Sequence, residues 1–321
     1  MTWLITGGAG YIGAHVVAAM QQAGEPVVVL DDLSTGDVAR IPTVETVVGS
    51  VADRALVSQL LHDHDVRGVV HVAAKKQVEE SVRRPLLYYR ENVAGLLGLL
   101  EEVVAADVTS FVFSSSAAVY GSPDVDLVTE ETDCRPVNPY GETKLVGERM
   151  VEAVSTATGL RFANLRYFNV AGSSEPGLAD RGRSNLVPML FEQLAAGRPP
   201  RIFGDDYPTP DGTCIRDFVH VADIASAHVA AARALAEERL TGLTANIGRG
   251  VGVSVREMAD IARAVTGTDG ETWAEPVVEP RRPGDPARVV ASAGVARDLL
   301  GWKAQYGVED MVRSAWTGWV G

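Results

Sequence analysis

Short apolar runs alternate with longer amphipathic stretches through the first half of the chain. A short apolar run bounded by Gly, Asp or Ser is typical of a buried strand, and apolar residues three and four apart are typical of a helix. The alternation predicts β-α-β units around a parallel sheet. The predicted strands are Trp3 to Thr6, Val27 to Leu30, Val44 to Val48, Gly68 to Ala73, Ser110 to Ser114 and Arg161 to Leu165.

The stretches between these strands predict helices long enough to carry the chain back across a sheet, so that each next strand runs parallel to the last. They lie at about Tyr11 to Ala23, Arg54 to His62, Leu86 to Ala106 and Tyr140 to Thr158. Six strands in this order predict an α/β fold with a Rossmann-like, doubly wound parallel sheet.

The alternation weakens after about Val170, where Gly, Pro, Asp and Ser accumulate around residues 171–184 and 204–213. We expect residues 1–170 to form a dinucleotide-binding domain. Residues 171–321 should form mainly a smaller, substrate-binding α/β lobe, with segments that return to the first domain. Its helices are predicted near Val187 to Ala196, Val221 to Glu237, Ser254 to Thr266 and Ser292 to Leu300, with Ser254 and Ser292 as N-caps.

The composition, with 46% hydrophobic and 22% charged residues, is ordinary for a globular protein. A formal charge of −13 without any run of Lys or Arg argues against nucleic acid or an anionic membrane as the main partner. The first residues enter a strand and a glycine cluster directly, without a signal-peptide pattern, so we expect a cytoplasmic protein.

Metal-ligating residue types are sparse in the sequence. Cys134 and Cys214 stand alone without CxxC spacing, so we expect two reduced thiols. His62 and His64 lie in a polar His-Asp-His-Asp run that is typical of a solvated helix end. We therefore predict no metal site.

A glycine-rich loop directly follows the first predicted strand: Thr6-Gly7-Gly8-Ala9-Gly10-Tyr11-Ile12-Gly13. Glycines permit a tight turn and let backbone N–H groups approach a pyrophosphate, and the next helix presents its positive end to the phosphates. A plain glycine turn is the alternative, but the position between strand and helix favours dinucleotide binding.

The second strand ends at Asp31, where a carboxylate can accept hydrogen bonds from the adenosine ribose hydroxyls. A 2′-phosphate would meet the charges of Asp31 and Asp32 with no arginine immediately following, so the pattern selects NAD over NADP. Asp31 could instead only form the turn into Leu33-Ser34-Thr35-Gly36.

The helix that begins at Asn138 carries two titratable groups four residues apart, Tyr140 and Lys144. Asn138 suits an N-cap and Pro139 the first helical position. Residues at this spacing share a helix face, and a cation beside a phenol favours the phenolate. The pair is an active-site candidate, although a Tyr and a Lys also meet at this spacing on ordinary surface helices.

Hydroxyl groups cluster where the fifth predicted strand ends, in Phe113-Ser114-Ser115-Ser116-Ala117-Ala118-Val119-Tyr120-Gly121. In doubly wound folds the carboxyl edge of the sheet binds ligands. These serines could face a cofactor, or they could satisfy the backbone of a fraying strand end.

Together these motifs are similar to those of the extended short-chain dehydrogenase/reductases, and the whole chain resembles the UDP-glucose 4-epimerase family. More specific motifs carry the second resemblance. They are Leu165-Arg166-Tyr167-Phe168-Asn169, Phe203-Gly204-Asp205-Asp206-Tyr207-Pro208-Thr209, Arg216-Asp217-Phe218-Val219-His220-Val221 and Arg282-Pro283-Gly284-Asp285.

The resemblance implies a tightly bound NAD cofactor. Its site would comprise Gly7, Gly10, Tyr11, Ile12, Gly13, Asp31, Asp32, Leu33, Ser50, Val51, Ala73, Lys76, Asn92, Ser114, Tyr140, Lys144 and Phe168. Ser50 stands where many members of the family have an Asp that faces the adenine amino group, which leaves this contact open.

The resemblance also implies a UDP-sugar as substrate. The substrate site would comprise Ser116, Asn169, Asn185, Leu186, Phe203, Arg216, Val251, Arg282, Asp285 and Val289. In this interpretation the two arginines pair with the pyrophosphate, Asp285 accepts from a uridine ribose hydroxyl, and Phe203 lies against uracil. The loop of residues 171–184 is shorter than in longer members, so the outline of the sugar pocket stays open.

In the mechanism that the resemblance implies, Tyr140 removes the proton of the sugar 4-hydroxyl while C4 gives a hydride to NAD. The 4-keto sugar then turns over and is reduced on its other face. Ser116 would relay the proton, and Lys144 would hold the cofactor ribose and lower the pKa of Tyr140. The catalytic residues are therefore expected to be Ser116, Tyr140 and Lys144.

Two rival functions share this fold. A nucleotide-sugar dehydratase would need an acid just after the strand-end serine, where this chain has Ala117 and Ala118. A non-catalytic NAD-binding module would not need Tyr140 and Lys144 together.

The sequence leaves the preferred sugar open among glucose/galactose, N-acetylhexosamines and uronic acids. Relatives restricted to glucose and galactose often have a Tyr where this chain has Val289, which predicts some tolerance of a 2-acetamido group unless Val289 simply faces the core. The resemblance also predicts a homodimer formed through the helices near Leu86 to Ala106 and Tyr140 to Thr158.

Overall fold

The structure is a computed structural model that describes residues 1–182, 185–267, 275–282 and 284–321. It confirms each of the six predicted strands and adds further strands after β6. The strands of the described residues are β1 (Thr2–Thr6), β2 (Val27–Asp31), β3 (Thr46–Val48), β4 (Val66–His71), β5 (Ser110–Ser116), β6 (Arg161–Tyr167), β7 (Asn169–Ala171), β8 (Arg201–Phe203), β9 (Ile215–His220), β10 (Gly242–Ile247), β11 (Gly252–Ser254), β12 (Val277–Glu279) and β13 (Arg288–Val289).

Each predicted helix is found, but one long stretch departs from a regular α-helix. The region Leu86 to Ala106, predicted as one regular helix, is interrupted by a π-helical turn over Tyr89–Ala94. The helices of the described residues are α1 (Tyr11–Gln22), α2 (Arg54–Asp63), α3 (Val78–Arg83), α4 (Pro85–Tyr88), α5 (Gly95–Ala105), α6 (Pro139–Thr158), α7 (Leu186–Ala195), α8 (Val221–Ala236), α9 (Val255–Thr266), α10 (Gly294–Leu300) and α11 (Val308–Val320).

One of the two predicted serine N-caps in the second half is confirmed and the other is wrong. Ser254 and Glu257 form a reciprocal capping box at the start of α9, with bonds of 3.0 and 2.7 Å. Helix α10 begins later than predicted, with Ala293 as its cap. The backbone of Ser292 is held away from a helix start because its N–H donates to the carbonyl oxygen of Val128 at 2.7 Å.

The main sheet is parallel, with the strand order β10-β6-β5-β4-β1-β2-β3 among the described residues. The order reverses beside β1, and ligands of doubly wound sheets bind outside the carboxyl ends of the strands at this point. Strand β10 comes from the second half of the chain yet forms an edge of this sheet. The α/β, Rossmann-like fold is confirmed.

Apolar cores cover both faces of the main sheet, as a buried parallel sheet requires. On one face Trp3 and Ile5 pack with α1, α8 and Trp302. On the other face Leu4 and Phe113 pack with α2, α5 and α6. Alternate residues of β1 therefore serve opposite cores.

A smaller set of strands lies beside the main sheet and belongs to the second half of the chain. Strand β9 pairs with β7, β11 and β13, while β8 pairs with β12. Helices α7, α9 and α11 enclose a separate apolar cluster around Phe191, Met258 and Met311. This arrangement brings Arg216 of β9 beside Val289 of β13.

None of the helices that the structure describes has both the length and the apolar character needed to cross a membrane.

Candidate active site

The glycine loop is shaped by close backbone approach. Gly7 has a φ of +72°, a conformation that side chains disfavour. A Cβ on Gly13 would lie 2.0 Å from the carbonyl oxygen of Gly7, so only glycine lets α1 start this close to the turn. Gly10 caps α1 without a side chain. The first N–H groups of α1 therefore remain available for a phosphate.

Tyr11 and Ile12 occupy the first turn of α1. The Tyr11 hydroxyl donates to the carbonyl oxygen of Gly172 at 2.6 Å, and its ring packs edge-on against His15 at 5.4 Å. This side chain ties the helix to the loop after β7. The Tyr11 hydroxyl is thus used for a contact within the protein.

The carboxylate of Asp31 bonds on both sides of the strand end. It accepts from the N–H of Ala9 in the glycine loop and from the N–H of Leu33, both at 2.9 Å. Asp31 thus stabilises the turn into Leu33, which was the alternative role considered from the sequence, and it also holds the glycine loop. Leu33 has a φ of +55°. The Asp32 carboxylate accepts from the N–H of Ser34 at 2.9 Å.

Three further residues predicted to bind the cofactor, Ser50, Val51 and Ala73, follow strands of the main sheet. Ser50 accepts from the N–H of Ala52 at 3.1 Å, and Val51 packs at the edge of the α2–α5 core. Ala73 follows β4 and donates its N–H to the carbonyl oxygen of Thr6 at 3.0 Å. A Cβ on Gly7 would lie 2.7 Å from the backbone nitrogen of Ala73, so the glycine loop and the end of β4 are in contact.

Asn92 is buried in the π-helical turn, and its amide is used within the protein. It accepts from the N–H of Lys75 at 2.8 Å and donates to the Lys75 carbonyl at 2.9 Å and to Thr143 at 3.1 Å. Asn92 therefore shapes the segment after β4. The Lys75 ammonium donates to Ser34 at 3.2 Å, whereas the predicted cofactor residue Lys76 is exposed.

The three serines at the end of β5 face different partners. The Ser114 hydroxyl bonds to His228 at 2.9 Å, and the Ser115 hydroxyl donates to Glu148. Both serines are fully buried, while Ser116 is partly exposed. The hydroxyl at the open edge of the sheet is therefore that of Ser116.

Helix α6 begins as the sequence predicts. The Asn138 side chain accepts from the N–H of Gly141 at 2.9 Å, and Pro139 is the first helical residue. Lys144 is 3% exposed, and its ammonium donates to the carbonyl oxygen of Ser114 at 2.7 Å. This contact fixes the first turns of α6 against the end of β5.

The protein groups around Tyr140 raise the pKa of its phenol. Burial is the larger cause, and a hydrogen bond with Ser116 opposes it. The sequence-based expectation was a lowered pKa, whereas the protein groups alone raise it, and the Lys144 ammonium bonds to a backbone carbonyl rather than to the phenol. Burial also lowers the pKa of Lys144 to about 8, against the attraction of Glu148.

The residues predicted to bind a diphosphate and a nucleoside meet beside β9. The Arg216 guanidinium lies 3.3 Å from the Asp285 carboxylate. The Arg282 guanidinium stacks on the Phe203 ring at 3.8 Å. These four side chains come from three separate parts of the chain, so their meeting supports the sequence-based grouping. Pro283 of the same motif lies outside the described residues.

Four other predicted substrate residues are more dispersed. Asn169 begins β7 and is exposed, while Asn185 donates to Asp180 at 2.6 Å just before Leu186 starts α7. Val251 is 51% exposed and lines a separate cavity of about 610 Å³ between the loop after β10 and the segment before α11. Residues 183 and 184 of the adjoining loop lie outside the described residues.

Val289 is 7% exposed and packs in an apolar cluster with Val119, Leu145 and Phe168. The cluster thus includes Phe168, a predicted cofactor residue, and Leu145, which follows Lys144 on α6. Val289 thus packs into an apolar core, which was the alternative considered from the sequence. In the sheet it is the register partner of Arg216.

The sequence interpretation missed Glu148 and Arg166 as parts of this site. Their carboxylate and guanidinium form a buried, two-bond ion pair with distances of 2.9 and 2.6 Å. Glu148 lies four residues after Lys144, and this continued spacing was the signal that could have revealed it. In the described residues no group of three His, Cys, Asp or Glu side chains is arranged to hold a metal ion.

The sequence of this chain is similar to those of known proteins. The model of the NAD dependent epimerase/dehydratase family matches residues 3–248. The UDP-glucose 4-epimerase of Azospirillum brasilense is 44% identical, covering 97% of this chain and 90% of that protein. The UDP-glucose 4-epimerase of Halalkalibacterium halodurans is 42% identical, covering 98% of this chain and 95% of that protein.

A solved structure extends the likeness to three dimensions. The UDP-glucose-4-epimerase of Stenotrophomonas maltophila, with bound NAD and formylated UDP-arabinopyranose, superposes with a TM-score of 0.93 at 39% identity. The match covers 99% of this chain and 97% of that one. With the glycine loop, the Tyr140 helix and the match of the family model in agreement, this chain belongs to the NAD dependent epimerase/dehydratase family.

Proposed function

We propose that this protein is an NAD-dependent UDP-glucose 4-epimerase, an isomerase that interconverts UDP-galactose and UDP-glucose. The observation that carries the proposal is the convergence of Tyr140, Ser116 and Lys144 at the carboxyl end of β5, on the same edge of the sheet as the glycine loop. Relatives with this activity align over nearly the whole chain.

The glycine loop fits a dinucleotide, because a Cβ at Gly13 would fill the place where α1 meets the turn. The N-terminal N–H groups of α1 would hold the pyrophosphate, and Asp31 would accept from the adenosine ribose. NAD bound there would supply the acceptor for the hydride of the sugar C4 and would return that hydride to the ketone. Phe168 and Lys144 would hold the nicotinamide half.

Tyr140 is the proposed proton acceptor. Its phenolate takes the 4-hydroxyl proton as C4 is oxidised, and its phenol returns the proton when the ketone is reduced. Ser116 hydrogen-bonds the reacting oxygen and lies beside Tyr140. Because burial raises the pKa of the phenol, the positive charges of Lys144 and of the oxidised nicotinamide are needed to favour the phenolate.

The nucleotide half of the substrate would remain bound while the sugar turns. Arg216 and Arg282 offer planar charged donors to the pyrophosphate, and Asp285 accepts from the uridine ribose. Phe203, which stacks on Arg282 at 3.8 Å, offers its ring to uracil. Inversion at C4 follows if the 4-keto sugar presents its other face to the returned hydride.

The two rival functions have less support. The positions after Ser116 are Ala117 and Ala118, so an elimination lacks its acid. A non-catalytic module would not explain why a buried lysine is held one turn from a tyrosine.

We further propose a homodimer that acts in the cytoplasm, in galactose metabolism. Apolar side chains are exposed in a stripe along α3 to α5: Val82 at 61%, Leu86 at 77%, Leu97 at 50% and Val104 at 38%. Leu97 and Val104 are two turns apart and share one side of α5, and α3, α4 and α5 all contact α6. A second copy would cover this stripe, and Leu97→Glu should shift the protein to a monomer in sedimentation.

We also propose that the chain divides into an NAD-binding unit of residues 1–170 and a mainly nucleotide-sugar-binding unit of residues 171–321.

The test is to incubate the purified protein with UDP-galactose and resolve the C4 epimers. We expect conversion to UDP-glucose without added cofactor, because a cycle without net redox has no use for exchange of NAD. Denaturation and chromatography should release NAD from the protein. Lack of conversion in a protein that carries NAD would contradict the proposal.

A further inference from the structure

The catalytic face of α6 continues one turn beyond the lysine. Tyr140, Lys144 and Glu148 follow at intervals of four, which places them on one side of the helix. The Lys144 ammonium bonds to the carbonyl oxygen of Ser114 at 2.7 Å, and the Glu148 carboxylate accepts from the hydroxyl of Ser115. Two successive turns of α6 are thus tied to two successive residues of β5.

Glu148 is held from the next strand by a two-bond ion pair. Nε and Nη2 of Arg166 lie 2.9 and 2.6 Å from the two carboxylate oxygens. The third nitrogen of Arg166 donates to the Tyr120 hydroxyl at 2.8 Å, which donates to Asn246 at 2.7 Å. Arg166 is also the register partner of Ser115 between β5 and β6.

This network is buried, with side-chain exposures of 2% for Glu148 and 8% for Arg166. A buried ion pair contributes little net stability relative to apolar side chains of similar volume. The helix is meanwhile pressed against β5, since a Cβ on Gly147 would lie 2.6 Å from the Phe113 ring. Apolar packing could hold α6 here, so the charges call for a separate explanation.

We propose that Glu148 is a positioning residue for the epimerase reaction: clamped by Arg166 and Ser115, it fixes the register of α6 on β5 and keeps a carboxylate one turn from the Lys144 ammonium. This inference rests on the proposed function. Glu148 does not touch the reacting atoms, and it acts through Lys144.

The charged surroundings of Lys144 give the inference a measurable consequence. Burial lowers the pKa of Lys144 to about 8, and Glu148 opposes this fall. His71 of β4 also faces Lys144, but burial keeps its pKa at about 3, so it stays neutral. Removal of the carboxylate should therefore let the pKa of Lys144 fall further, and the charge that favours the Tyr140 phenolate should be lost at a lower pH.

The test compares three single variants in the holoenzyme: Glu148→Gln, Glu148→Asp and, as a matched control, Glu152→Gln. Glu152 is the next residue on the same helix face, but it bonds to Asn164 and Thr244 rather than to Ser115. The measurements are kcat and KM for UDP-galactose from pH 6 to 10, and the NAD content.

In Glu148→Gln we expect the alkaline limb of kcat to move down by about one pH unit or more. A fall in the pKa of Lys144 from about 8 to about 7 lowers the charged fraction at pH 8 about fivefold. KM and NAD content should change little. Glu148→Asp keeps the charge and should return the limb toward that of the wild type, and Glu152→Gln should leave it unchanged.

The inference is overturned if the alkaline limb of kcat stays at the wild-type pH in folded Glu148→Gln. It is also overturned if Glu152→Gln shifts this limb as much as Glu148→Gln does. If Glu148→Gln does not fold because Arg166 is left unpaired, the double variant Glu148→Gln/Arg166→Gln replaces it. We expect the same shift of the alkaline limb of kcat in the double variant, and a limb that does not shift would again overturn the inference. A wild-type enzyme that is active while Glu148→Gln shows no shift contradicts this inference alone. A wild type without epimerase activity contradicts the proposed function.

Discussion

The Lys144 ammonium donates a hydrogen bond to the Ser114 carbonyl oxygen across 2.7 Å, at a site where the lysine is only 3% exposed. The same ammonium lies 5.0 Å from the centre of the Phe113 ring. A buried cation held by a carbonyl and an aromatic face keeps its position without a carboxylate in direct contact. It therefore remains able to stabilise a negative charge that develops nearby, such as that of the Tyr140 phenolate.

The first prediction concerns the proposed base. Tyr140→Phe should lower kcat for UDP-galactose at least about 10²-fold, the usual scale for the loss of a general base. The fold and the bound NAD should be retained, because the lost hydroxyl interacts with Ser116 at the open edge of the sheet. Tyr306→Phe, at a tyrosine that is 43% exposed, is the matched control and should keep the wild-type rate. An unchanged rate in Tyr140→Phe would exclude Tyr140 as the base.

The second prediction separates two adjacent arginines. Arg282→Ala should raise KM for UDP-sugars roughly 10- to 150-fold, since a charge-assisted contact with a pyrophosphate contributes about 1.5 to 3 kcal/mol. Arg281→Ala is the control, because Arg281 pairs with Asp206 and stacks on Tyr207 at 4.1 Å instead. NAD content should be equal in both variants. Loss of NAD from Arg282→Ala with KM intact would show that this arginine serves the other ligand.

The third prediction addresses the sugar. If Val289 leaves room for a 2-acetamido group, the wild type should convert UDP-N-acetylgalactosamine as well as UDP-galactose, and Val289→Tyr should selectively lose the acetamido substrate. Val289 is 7% exposed and packs with Phe168, so a tyrosine must turn toward the substrate side to be accommodated. Epimer analysis with both sugars in both proteins decides the question. Rejection of the acetamido sugar by the wild type would mean that Val289 only fills the core.

The fourth prediction is acid destabilisation. Burial lowers the pKa of His15, His220 and His228 from 6.5 to about 4 and that of His71 to about 3. Each folded-state pKa is below the unfolded value, so the stabilising contribution is complete above pH 6.5 and is lost as the pH falls toward 4. Burial raises the pKa of Asp217 to about 6 and also raises the pKa values of Asp223 and Glu152. These three acids oppose the trend as the pH falls, but four imidazoles act in the destabilising direction, so we expect a net loss of stability.

The free energy of unfolding, measured by urea denaturation between pH 7 and pH 4.5, should therefore fall with pH. Replacement of the exposed His62 by Asn should leave the curve unchanged, because no buried imidazole is removed. A stability that is level or rising from pH 7 to pH 4.5 would contradict the prediction.

Local signals let the sequence determine the six main strands, the glycine loop and the start of α6. Apolar runs bounded by turn residues define strands, and Asn138 followed by Pro139 satisfies the free N–H groups of a helix start within a few residues. The cofactor class also followed from local order, because Asp31 ends the strand that comes after the loop. Such features depend on residues that are neighbours in the chain, so they can be predicted from a single sequence.

The tertiary structure alone decided which distant groups meet. Strand β10 joins the main sheet beside β6, although two helices, α7 and α8, and three strands separate them in the chain. Ser114 was predicted to face the cofactor, yet its hydroxyl bonds to His228, 114 residues away. The pairing of Arg166 with Glu148 and the raised pKa of Tyr140 likewise depend on burial and on side chains from other elements. Desolvation and long-range contacts arise only when the chain is folded, and local sequence patterns do not encode them.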